Sequence, residues 1–370
     1  MISRQSGHSG IGISGISAYQ PDWVLPNEWY DSLLSRKFVK HTGILKRPIS
    51  EEDEVEMAVR AAQTLAAETG CDLDDCAAVL FVSPSFVPMS AARRLMDDDR
   101  AREEKLFRAA HRVVEQLPMS PRQVLANNAF CSGYARAMSI VLRKLQPALQ
   151  LGPDEFILVL TSTRISRITD FGCQQTGGLF GDMATATLVA RGDSKKYPVH
   201  FELIDSKFGK VATQRPFFDF ESRTEVLVPT PGGGRELESE RVVFSMDGMG
   251  IADTAPRAMA QAAVDIATAN NLQPGEVNFI VPHQAGAAIV RLAGMKLEQA
   301  GFIAEVINGM TEEVGNVSSS SVPFALKHQW DRLRGNILCP VAAVGSPGKS
   351  EVSCGCILLR STSLHAQLVR

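Results

Sequence analysis

The segment VLANNAFCSGYARAMSIVLRKL, residues 124–145, carries the most informative pattern of this 370-residue chain. Residues 124–126 predict the end of a buried strand, residues 127–130 predict a turn, and the apolar spacing after Cys131 predicts a helix. A cysteine at the start of a helix lies beside unpaired N–H groups and the positive end of the helix dipole, and both favour the thiolate. The segment alone leaves two interpretations open, a nucleophilic Cys131 and a buried structural cysteine.

The composition is that of a globular protein with a large core. Apolar residues make up 45% of the chain and charged residues 21%, which is ordinary for such proteins. The formal charge of −3 gives no reason to expect nucleic acid or an anionic membrane as a partner. No apolar run approaches the roughly 20 residues of a membrane span, and the first residues lack the apolar core of a signal peptide. The seven cysteines include no Cys-x-x-Cys pair, which favours a reduced, cytoplasmic protein without a metal.

Predicted strands and helices alternate along the chain, which indicates an α/β layered fold. The continuous apolar runs at residues 77–82 and 156–161 predict strands that are covered on both faces. A faint internal repeat is also present, because each half ends in a glycine turn and a strand of small residues that finishes at an arginine (residues 181–191 and 348–360). If the two halves are copies of one unit related by a pseudo-twofold axis, the N-termini of their corresponding helices would lie close together.

The patterning predicts three parts of the chain. Residues 1–206 form an N-terminal half that carries Cys131 and includes a charged excursion near residues 97–117. Regular patterning weakens over residues 207–240, which we interpret as a loop or cap because they contain a proline- and glycine-rich break. Residues 241–370 form a C-terminal half.

The C-terminal half supplies two polar residues at predicted strand-to-helix junctions. His283 lies in Val-Pro-His-Gln-Ala, residues 281–285, and Asn316 follows Gly315 ahead of a run of four serines. Taken singly, the histidine is more simply a hydrogen-bonded structural residue and the asparagine a helix cap. Ligands of α/β folds bind at the carboxyl ends of strands, so the combination of Cys131, His283 and Asn316 points to one catalytic site.

With these motifs the chain resembles the ketoacyl-acyl-carrier-protein synthase III group of thiolase-fold condensing enzymes. The resemblance covers nearly the whole chain and rests on Thr-Gly-Ile at 42–44 with Arg47, Cys-Ser-Gly at 131–133, Gly181-Asp182, Val-Pro-His-Gln-Ala at 281–285, Gly315-Asn316 with the serine run, and the Gly345 turn. It implies an α/β fold of thiolase-like type, with five layers (αβαβα) built from two repeated halves and working as a homodimer. It implies no bound cofactor and no metal, and substrates that are thioesters of coenzyme A or of acyl carrier protein.

The resemblance also implies decarboxylative Claisen condensation. Cys131 takes the acyl group from a thioester and holds it covalently. A malonyl-type or 3-oxoacyl thioester then supplies the attacking carbon, while His283 and Asn316 donate hydrogen bonds to its carbonyl oxygen. The backbone N–H groups of Cys131 and of the Gly345-Ser346 turn would hold the acyl oxyanion.

Several positions depart from the family pattern where substrate or carrier is bound. His41 stands where the family has an arginine for the coenzyme A adenine, and the accompanying tryptophan is absent. Arg167 matches an arginine used in cofactor binding. Ala288 takes the place of the carrier-protein arginine, while Arg291 and Lys296 keep that helix basic.

The acyl-pocket segment also differs, because Val87 and Met89 occupy the region of the usual Phe-Pro pair. We assign both to substrate or carrier binding, together with Arg47 and the basic residues named above. These changes predict a longer or unusual acyl group in place of acetyl, in fatty-acid or specialised-metabolite biosynthesis. An enzyme that joins two acyl chains into a cyclohexanedione or resorcinol precursor would fit.

Three other functions compete with condensation. An acyl shuttle would keep Cys131 and His283 but needs no decarboxylation, and the presence of Asn316 argues against it. A papain-like hydrolase also uses Cys, His and Asn in this order, but its Cys-Gly-Ser-Cys-Trp signature is missing around Cys131. A non-catalytic subunit of a mixed dimer would be expected to lack the cysteine or the histidine.

Overall fold

The structure is a computed structural model that describes residues 10–85 and 99–368. Its strands are β1 (Ile11–Tyr19), β2 (Val24–Pro26), β3 (Lys46–Pro48), β4 (Cys76–Val82), β5 (Gln123–Asn127), β6 (Phe156–Thr163), β7 (Met183–Arg191), β8 (Phe201–Ala212), β9 (Phe218–Arg223), β10 (Val226–Thr230), β11 (Gly234–Glu238), β12 (Arg241–Met246), β13 (Val277–Ile280), β14 (Glu305–Val306), β15 (Asn336–Val344) and β16 (Glu351–Ser361). Its helices are α1 (Phe38–Thr42), α2 (Glu54–Thr69), α3 (Asp99–Glu115), α4 (Gly133–Ile140), α5 (Gln146–Leu149), α6 (Gly248–Ala269), α7 (Ala287–Gln299), α8 (Thr311–Val314), α9 (Ser321–His328) and α10 (Ser363–Leu368).

The large sheet consists of two five-stranded halves with the same connectivity. One half has the order β5-β4-β6-β7-β1 and the other β14-β13-β15-β16-β8. In each half the first three strands are parallel and the next two pairings are antiparallel. A short antiparallel contact between β1 and β8 joins the halves. The internal repeat predicted from the glycine turns is therefore confirmed at the level of topology.

Helices separate and cover the two half-sheets. Residues of α4 and α9, among them Tyr134, Ala137, Val322 and Leu326, pack in one core cluster with strand residues of both halves. Helices α2 and α3 cover the outer face of the first half, and α6 and α7 cover that of the second. The layers thus follow the predicted order α/β/α/β/α.

Local sequence explains why these elements form. Helix α2 begins at a reciprocal capping box, in which the Asp53 carboxylate accepts the N–H groups of Val55 and Glu56 while the Glu56 side chain accepts the N–H of Asp53. Strand β6 is buried at every position, as its uninterrupted apolar run predicted. None of the described helices combines the length and the apolar character that a membrane crossing requires.

The predicted boundary at residue 206 is wrong. It falls inside β8, which pairs with β16 over most of its length and belongs to the second half. Residues 207–240 are not an irregular loop, because they contain the end of β8, all of β9 and the β10–β11 hairpin. The partner of β9 is β12, beyond residue 240. The signal for β9 was the alternation of apolar Phe218 and Phe220 with charged residues, a period of two that marks a half-buried strand.

The charged excursion near residues 97–117 is also corrected where the structure describes it. Residues 99–115 form α3, whose Leu106, Ala110 and Val113 are buried against the outer face of the first half-sheet. The segment is an amphipathic helix of the outer layer, since its charged residues lie on the solvent side of a narrow apolar stripe.

Candidate active site

Cys131 lies in a short turn between the end of β5 and the start of α4. Residues 130–132 form one turn of 3₁₀ helix, and α4 begins at Gly133. Phe130 has a φ of +46°, a backbone conformation that is unusual for a residue other than glycine and is typical of functional turns. The Ser132 hydroxyl lies 2.6 Å from that of Ser353, so the second half holds this turn in place.

Two residues of the second half contact the Cys131 sulfur. Ser318 donates its hydroxyl to Sγ at 3.4 Å, and the Asn316 side chain also hydrogen-bonds the thiol. Ser318 has a φ of +49°, so both turns that flank the sulfur contain a strained residue.

Burial in the fold opposes the predicted thiolate at Cys131. Burial raises the pKa of the thiol to about 11, and the hydrogen bonds from Ser318 and Asn316 offset only part of that shift. The sequence argument placed Cys131 at the first residue of a helix, whereas α4 begins two residues later. Desolvation is therefore the largest effect on the thiol pKa, and a local sequence pattern does not contain it.

His283 follows β13 and is held rigidly inside the protein. Its backbone N–H donates to the Pro340 carbonyl at 2.9 Å, and its side chain is 1% exposed. Nδ1 lies 2.6 Å from the Ser321 hydroxyl. Burial lowers the pKa of His283 to about 3, so the imidazole is neutral near neutral pH. A neutral imidazole in this position can donate a hydrogen bond without carrying a charge.

Asn316 is fixed by contacts between the two halves. Its backbone N–H donates to the Leu179 carbonyl at 2.9 Å, and its own carbonyl accepts the N–H of Gly181 at 3.3 Å. The preceding Gly315 has a φ of +65°, a conformation that glycine adopts without strain. The side-chain oxygen accepts the N–H of Ser318 at 2.9 Å, which leaves the amide nitrogen as the donor toward the cavity.

Cys131, His283 and Asn316 line one cavity of about 540 Å³. Its wall is largely apolar and includes Ile165, Ile168, Leu179, Phe180, Phe218, Phe244, Met246 and Ile251. Polar groups are few, as in many ligand cavities. The arrangement places a partly exposed thiol beside two neutral hydrogen-bond donors, and such a site can hold an acyl group and stabilise negative charge on an oxygen.

Comparison with known proteins identifies the family. The family model described as 3-Oxoacyl-[acyl-carrier-protein (ACP)] synthase III matches residues 127–209, and the model of its C-terminal part matches residues 267–358. A beta-ketoacyl-[acyl-carrier-protein] synthase III of Clostridium beijerinckii is 26% identical over 334 residues, which cover 88% of this chain and 91% of that protein. The chain is a beta-ketoacyl-acyl-carrier-protein synthase III-like protein. Its similarity to these synthases shows that it is an acyl-transferring condensing enzyme.

Solved structures share the fold of this synthase III-like chain. The 3-oxoacyl-(acyl carrier protein) synthase III of Pseudomonas aeruginosa superposes with a TM-score of 0.67 at 21% identity, covering 96% of this chain and 99% of that one. The tetronic acid condensing enzyme AbyA1 superposes with a TM-score of 0.68 at 15% identity, covering 95% and 100%. These likenesses confirm the thiolase-like fold.

In this synthase III-like chain Arg47 is structural, so its assignment to substrate or carrier binding is wrong. The side chain is fully buried, donates to the Leu25 carbonyl at 3.1 Å and to Asn27 Oδ1 at 2.5 Å, and stacks over the Tyr30 ring. Burial also lowers the pKa of this guanidinium. Residues of the preceding segment enclose the Arg47 side chain. The position of Arg47 in a family motif gave no indication of these contacts.

Arg167 is turned away from the cavity as well. Its guanidinium lies 3.3 Å from the buried carboxylate of Glu54, while the neighbouring Ile165 and Ile168 line the cavity. Burial raises the pKa of Glu54, and the cationic Arg167 partly offsets that shift. The ion pair accounts for Arg167 without a substrate.

Gly345 and Ser346, expected in the oxyanion hole, lie beside a second cavity. That cavity of about 690 Å³ shares Phe130 and Val344 with the Cys131 cavity. The N–H of Ser346 donates to Glu351 Oε1 at 3.2 Å. The Ser346 amide is therefore engaged by a carboxylate, whereas the Cys131 amide lies beside its own sulfur.

The remaining predicted binding residues lie around the entrance or outside the described residues. His41 lines the mouth of the Cys131 cavity on an exposed part of α1. Arg291 and Lys296 are on α7, the helix whose Ala288 lines the cavity. Val87 and Met89 lie outside the described residues.

Sequence reasoning missed two groups of residues. One is the set of phenylalanines that β9 and β12 bring to the cavity wall, for which the alternating pattern was the available signal. The other is the individual roles of the serines at 318 and 321, which contact Cys131 and His283. The serine run was visible, but four identical residues gave no indication of which partner each one meets.

Proposed function

We propose that this enzyme catalyses decarboxylative Claisen condensation between an acyl group held on Cys131 and a malonyl-type thioester, whose free carboxylate is lost as carbon dioxide. The observation that carries the proposal is the meeting of Cys131, His283 and Asn316 in one apolar cavity. Thioesters of coenzyme A or acyl carrier protein are the substrates, and the reaction needs no bound cofactor.

The first step loads the acyl group. The Cys131 sulfur attacks the thioester carbonyl, a new S–C bond forms, the donor's C–S bond breaks, and the thiol proton leaves with the departing thiol. Because burial raises the pKa of Cys131 to about 11, the thiolate must be stabilised as it forms. The hydroxyl of Ser318 and the amide of Asn316 are the donors that reach it.

The second step releases carbon dioxide. As the bond to the carboxylate of the extender breaks, its electron pair moves into an enolate whose oxygen becomes negative. His283 and Asn316 donate hydrogen bonds to that oxygen, and a neutral imidazole suits this role because it lowers the barrier without a proton transfer. The enolate carbon then attacks the acyl carbon, and the Cys131 thiolate leaves and is reprotonated.

The cavity wall supports an acyl group larger than acetyl. Phe218, Phe244 and Met246 extend the apolar wall beyond the catalytic residues. Each additional methylene buried against such a wall contributes about 0.8 kcal/mol, whereas acetyl would leave most of the wall without a partner. A longer or branched acyl donor, in fatty-acid or specialised-metabolite biosynthesis, fits this wall.

The surroundings of the mouth favour delivery by an acyl carrier protein. His41 of α1 lines the mouth, and Lys40 precedes it on the same helix. Arg291 is exposed on α7, which borders the cavity. These groups suit an acidic partner or a phosphate.

The seven cysteines are unpaired, in keeping with the cytoplasmic location that we propose.

The test uses a labelled acyl thioester with malonyl-acyl-carrier protein. Cys131→Ala should abolish loading of the acyl label. His283→Ala should load at the wild-type rate, and Asn316→Ala should still load, more slowly, because Ser318 remains as a donor to the sulfur. Both should lose about 10²- to 10³-fold in carbon dioxide release, the usual effect of removing one oxyanion donor. Asn308→Ala is the matched control, because this exposed asparagine contacts only nearby backbone.

The outcomes separate the competing functions. Loading followed by transfer without carbon dioxide release would establish an acyl shuttle, and peptide cleavage would establish a hydrolase. Loss of loading in both His283→Ala and Asn316→Ala would contradict the division of roles between the two halves.

A further inference from the structure

We propose that Ser321 is a positioning residue that holds His283 in the tautomer with the proton on Nε2. The proposal rests on the function proposed above, in which His283 donates a hydrogen bond to the extender thioester. The tautomer itself is a property of the free protein and can be measured without any substrate.

The four consecutive serines before and in α9 fall into two groups by what they contact. Ser318 donates to the Cys131 sulfur, and Ser321 contacts Nδ1 of His283. Ser319 lies 3.3 Å from the Thr163 hydroxyl, and Ser320 lies 2.8 Å from that of Thr161. The two outer serines therefore contact catalytic groups, while the two inner ones join α9 to β6 of the other half.

The direction of the bond between Ser321 and His283 follows from counting hydrogens. A neutral imidazole has one donor nitrogen and one acceptor nitrogen. The Ser321 oxygen already receives the N–H of Gln284 at 3.4 Å, and Nδ1 lies 2.6 Å from it. The serine has a single hydroxyl hydrogen, and Nδ1 is the one acceptor that it meets in the described part of the chain. Ser321 thus donates to Nδ1, and the ring proton is placed on Nε2.

The opposite direction would leave polar hydrogen-bonding capacity unused. If Nδ1 carried the proton, two N–H groups would donate to the Ser321 oxygen and its hydroxyl hydrogen would have no acceptor. Ser321 and His283 are both 1% exposed, so solvent cannot readily supply one. A buried hydroxyl without a partner is costly, and this cost disfavours the Nδ1–H tautomer.

The tautomer decides whether His283 helps or hinders the second step. With the proton on Nε2, the ring presents a donor to the developing oxyanion, whereas the other tautomer presents a lone pair. The two tautomers do not differ in charge, because burial keeps the His283 ring neutral near neutral pH. Removing the Ser321 hydroxyl should therefore lower kcat for carbon dioxide release about 10- to 100-fold with KM little changed, less than the full loss of a donor.

The experiment reads the tautomer directly. Protein labelled with ¹⁵N-histidine is examined by long-range ¹H–¹⁵N correlation, and His283→Gln assigns the signals among the seven histidines. We expect the Nε2–H pattern in the wild-type chain and a shift toward a mixture in Ser321→Ala. Ser319→Ala is the matched control, since it removes a buried hydroxyl of the same run that touches neither Cys131 nor His283. Ser321→Thr, which keeps the hydroxyl, should restore the wild-type pattern and rate.

Two results would overturn the proposal. One is an Nδ1–H pattern in the wild-type chain. This measurement does not depend on whether any variant folds. The other is a Ser321→Ala enzyme that retains the Nε2–H pattern and the wild-type rate of carbon dioxide release. If the chain loads no acyl thioester at all, the function proposed above fails while the tautomer measurement still stands.

Discussion

The environment of Cys131 in the folded protein differs from the one that its local sequence predicts. Its thiol is enclosed by groups from the second half, and burial raises its pKa to about 11. Reactivity must therefore come from donors that act on the sulfur as it becomes anionic, chiefly Ser318 and Asn316. A high pKa also protects the resting enzyme from unwanted alkylation, because the thiolate is the nucleophilic form.

This setting predicts a steep pH dependence for alkylation of Cys131. The rate with iodoacetamide should rise about tenfold for each pH unit from 7 to 10, because the thiolate fraction grows by that factor below the pKa. Ser318→Ala should slow the reaction at each pH, since the lost hydrogen bond holds the pKa down. Peptide mass spectrometry with Cys131→Ala as the blank gives the rate at this one site. A plateau reached by pH 8 would show an activated resting thiolate and refute the expectation.

At the scale of elements, the turn before β7 holds the loop that carries Asn316. The N–H of Gly181 donates to the Asn316 carbonyl, and a Cβ on Gly181 would lie 2.2 Å from the Val314 carbonyl oxygen. Such a distance is impossible without movement of the backbone. The glycine is therefore required where the two halves approach each other.

Gly181→Ala should destabilise the chain and displace Asn316. We expect a loss of about 1–3 kcal/mol in the free energy of unfolding, the usual cost of overpacking, together with slower carbon dioxide release. Gly209→Ala is the control, because a Cβ there meets no atom within 4 Å. Urea denaturation of both variants measures the difference. Equal stability of the two would contradict the close approach at Gly181.

The two-stranded sheet of β9 and β12 should set acyl selectivity. Phe244 lines the Cys131 cavity and packs edge-to-face on Phe180, with ring centroids 5.2 Å apart. Phe244→Leu widens the wall, so the preference among donors of increasing length should move toward longer chains by about tenfold in relative kcat/KM. Phe220→Leu is the matched control, since Phe220 packs in the same cluster but does not line the cavity.

Intact-mass measurement of acyl-Cys131 after competition between donors gives this preference. A shift of equal size in both variants would mean that the β9–β12 sheet acts through general loosening of the protein and not through the cavity wall.

At the scale of the whole molecule, the edge of the large sheet points to a dimer. Strand β5 is the outermost strand beside Cys131, and in the described part of the chain no strand pairs with its outer side. Val124, Leu125 and Ala126 are only half-buried there. An open edge with apolar side chains is a template for pairing with another chain. We propose that a second copy covers it.

Light scattering should accordingly give twice the mass of one chain at micromolar concentration. Hydrogen exchange should find the outward amides of β5 protected, and dilution should release that protection as the dimer dissociates. A monomeric mass with rapidly exchanging β5 amides would exclude the dimer at this edge.

Sequence patterns were enough to predict the fold class, the repeat and the three residues that meet in the cavity. Apolar periodicity and glycine turns are local signals, and a polar residue placed just after a predicted strand is at the ligand-binding end of an α/β sheet wherever that strand goes. This is why Cys131, His283 and Asn316 could be named before any contact was known.

The environment of each charge and hydroxyl depends on long-range packing and could not be predicted from sequence patterns. Arg47 became a buried structural residue because Leu25, Asn27 and Tyr30 enclose it. The thiol pKa rose because the second half covers Cys131. Desolvation and hydrogen-bond partners depend on groups that are distant in the chain, 20 to 22 residues away for Arg47 and 187 for Cys131 and Ser318. No local pattern contains that information.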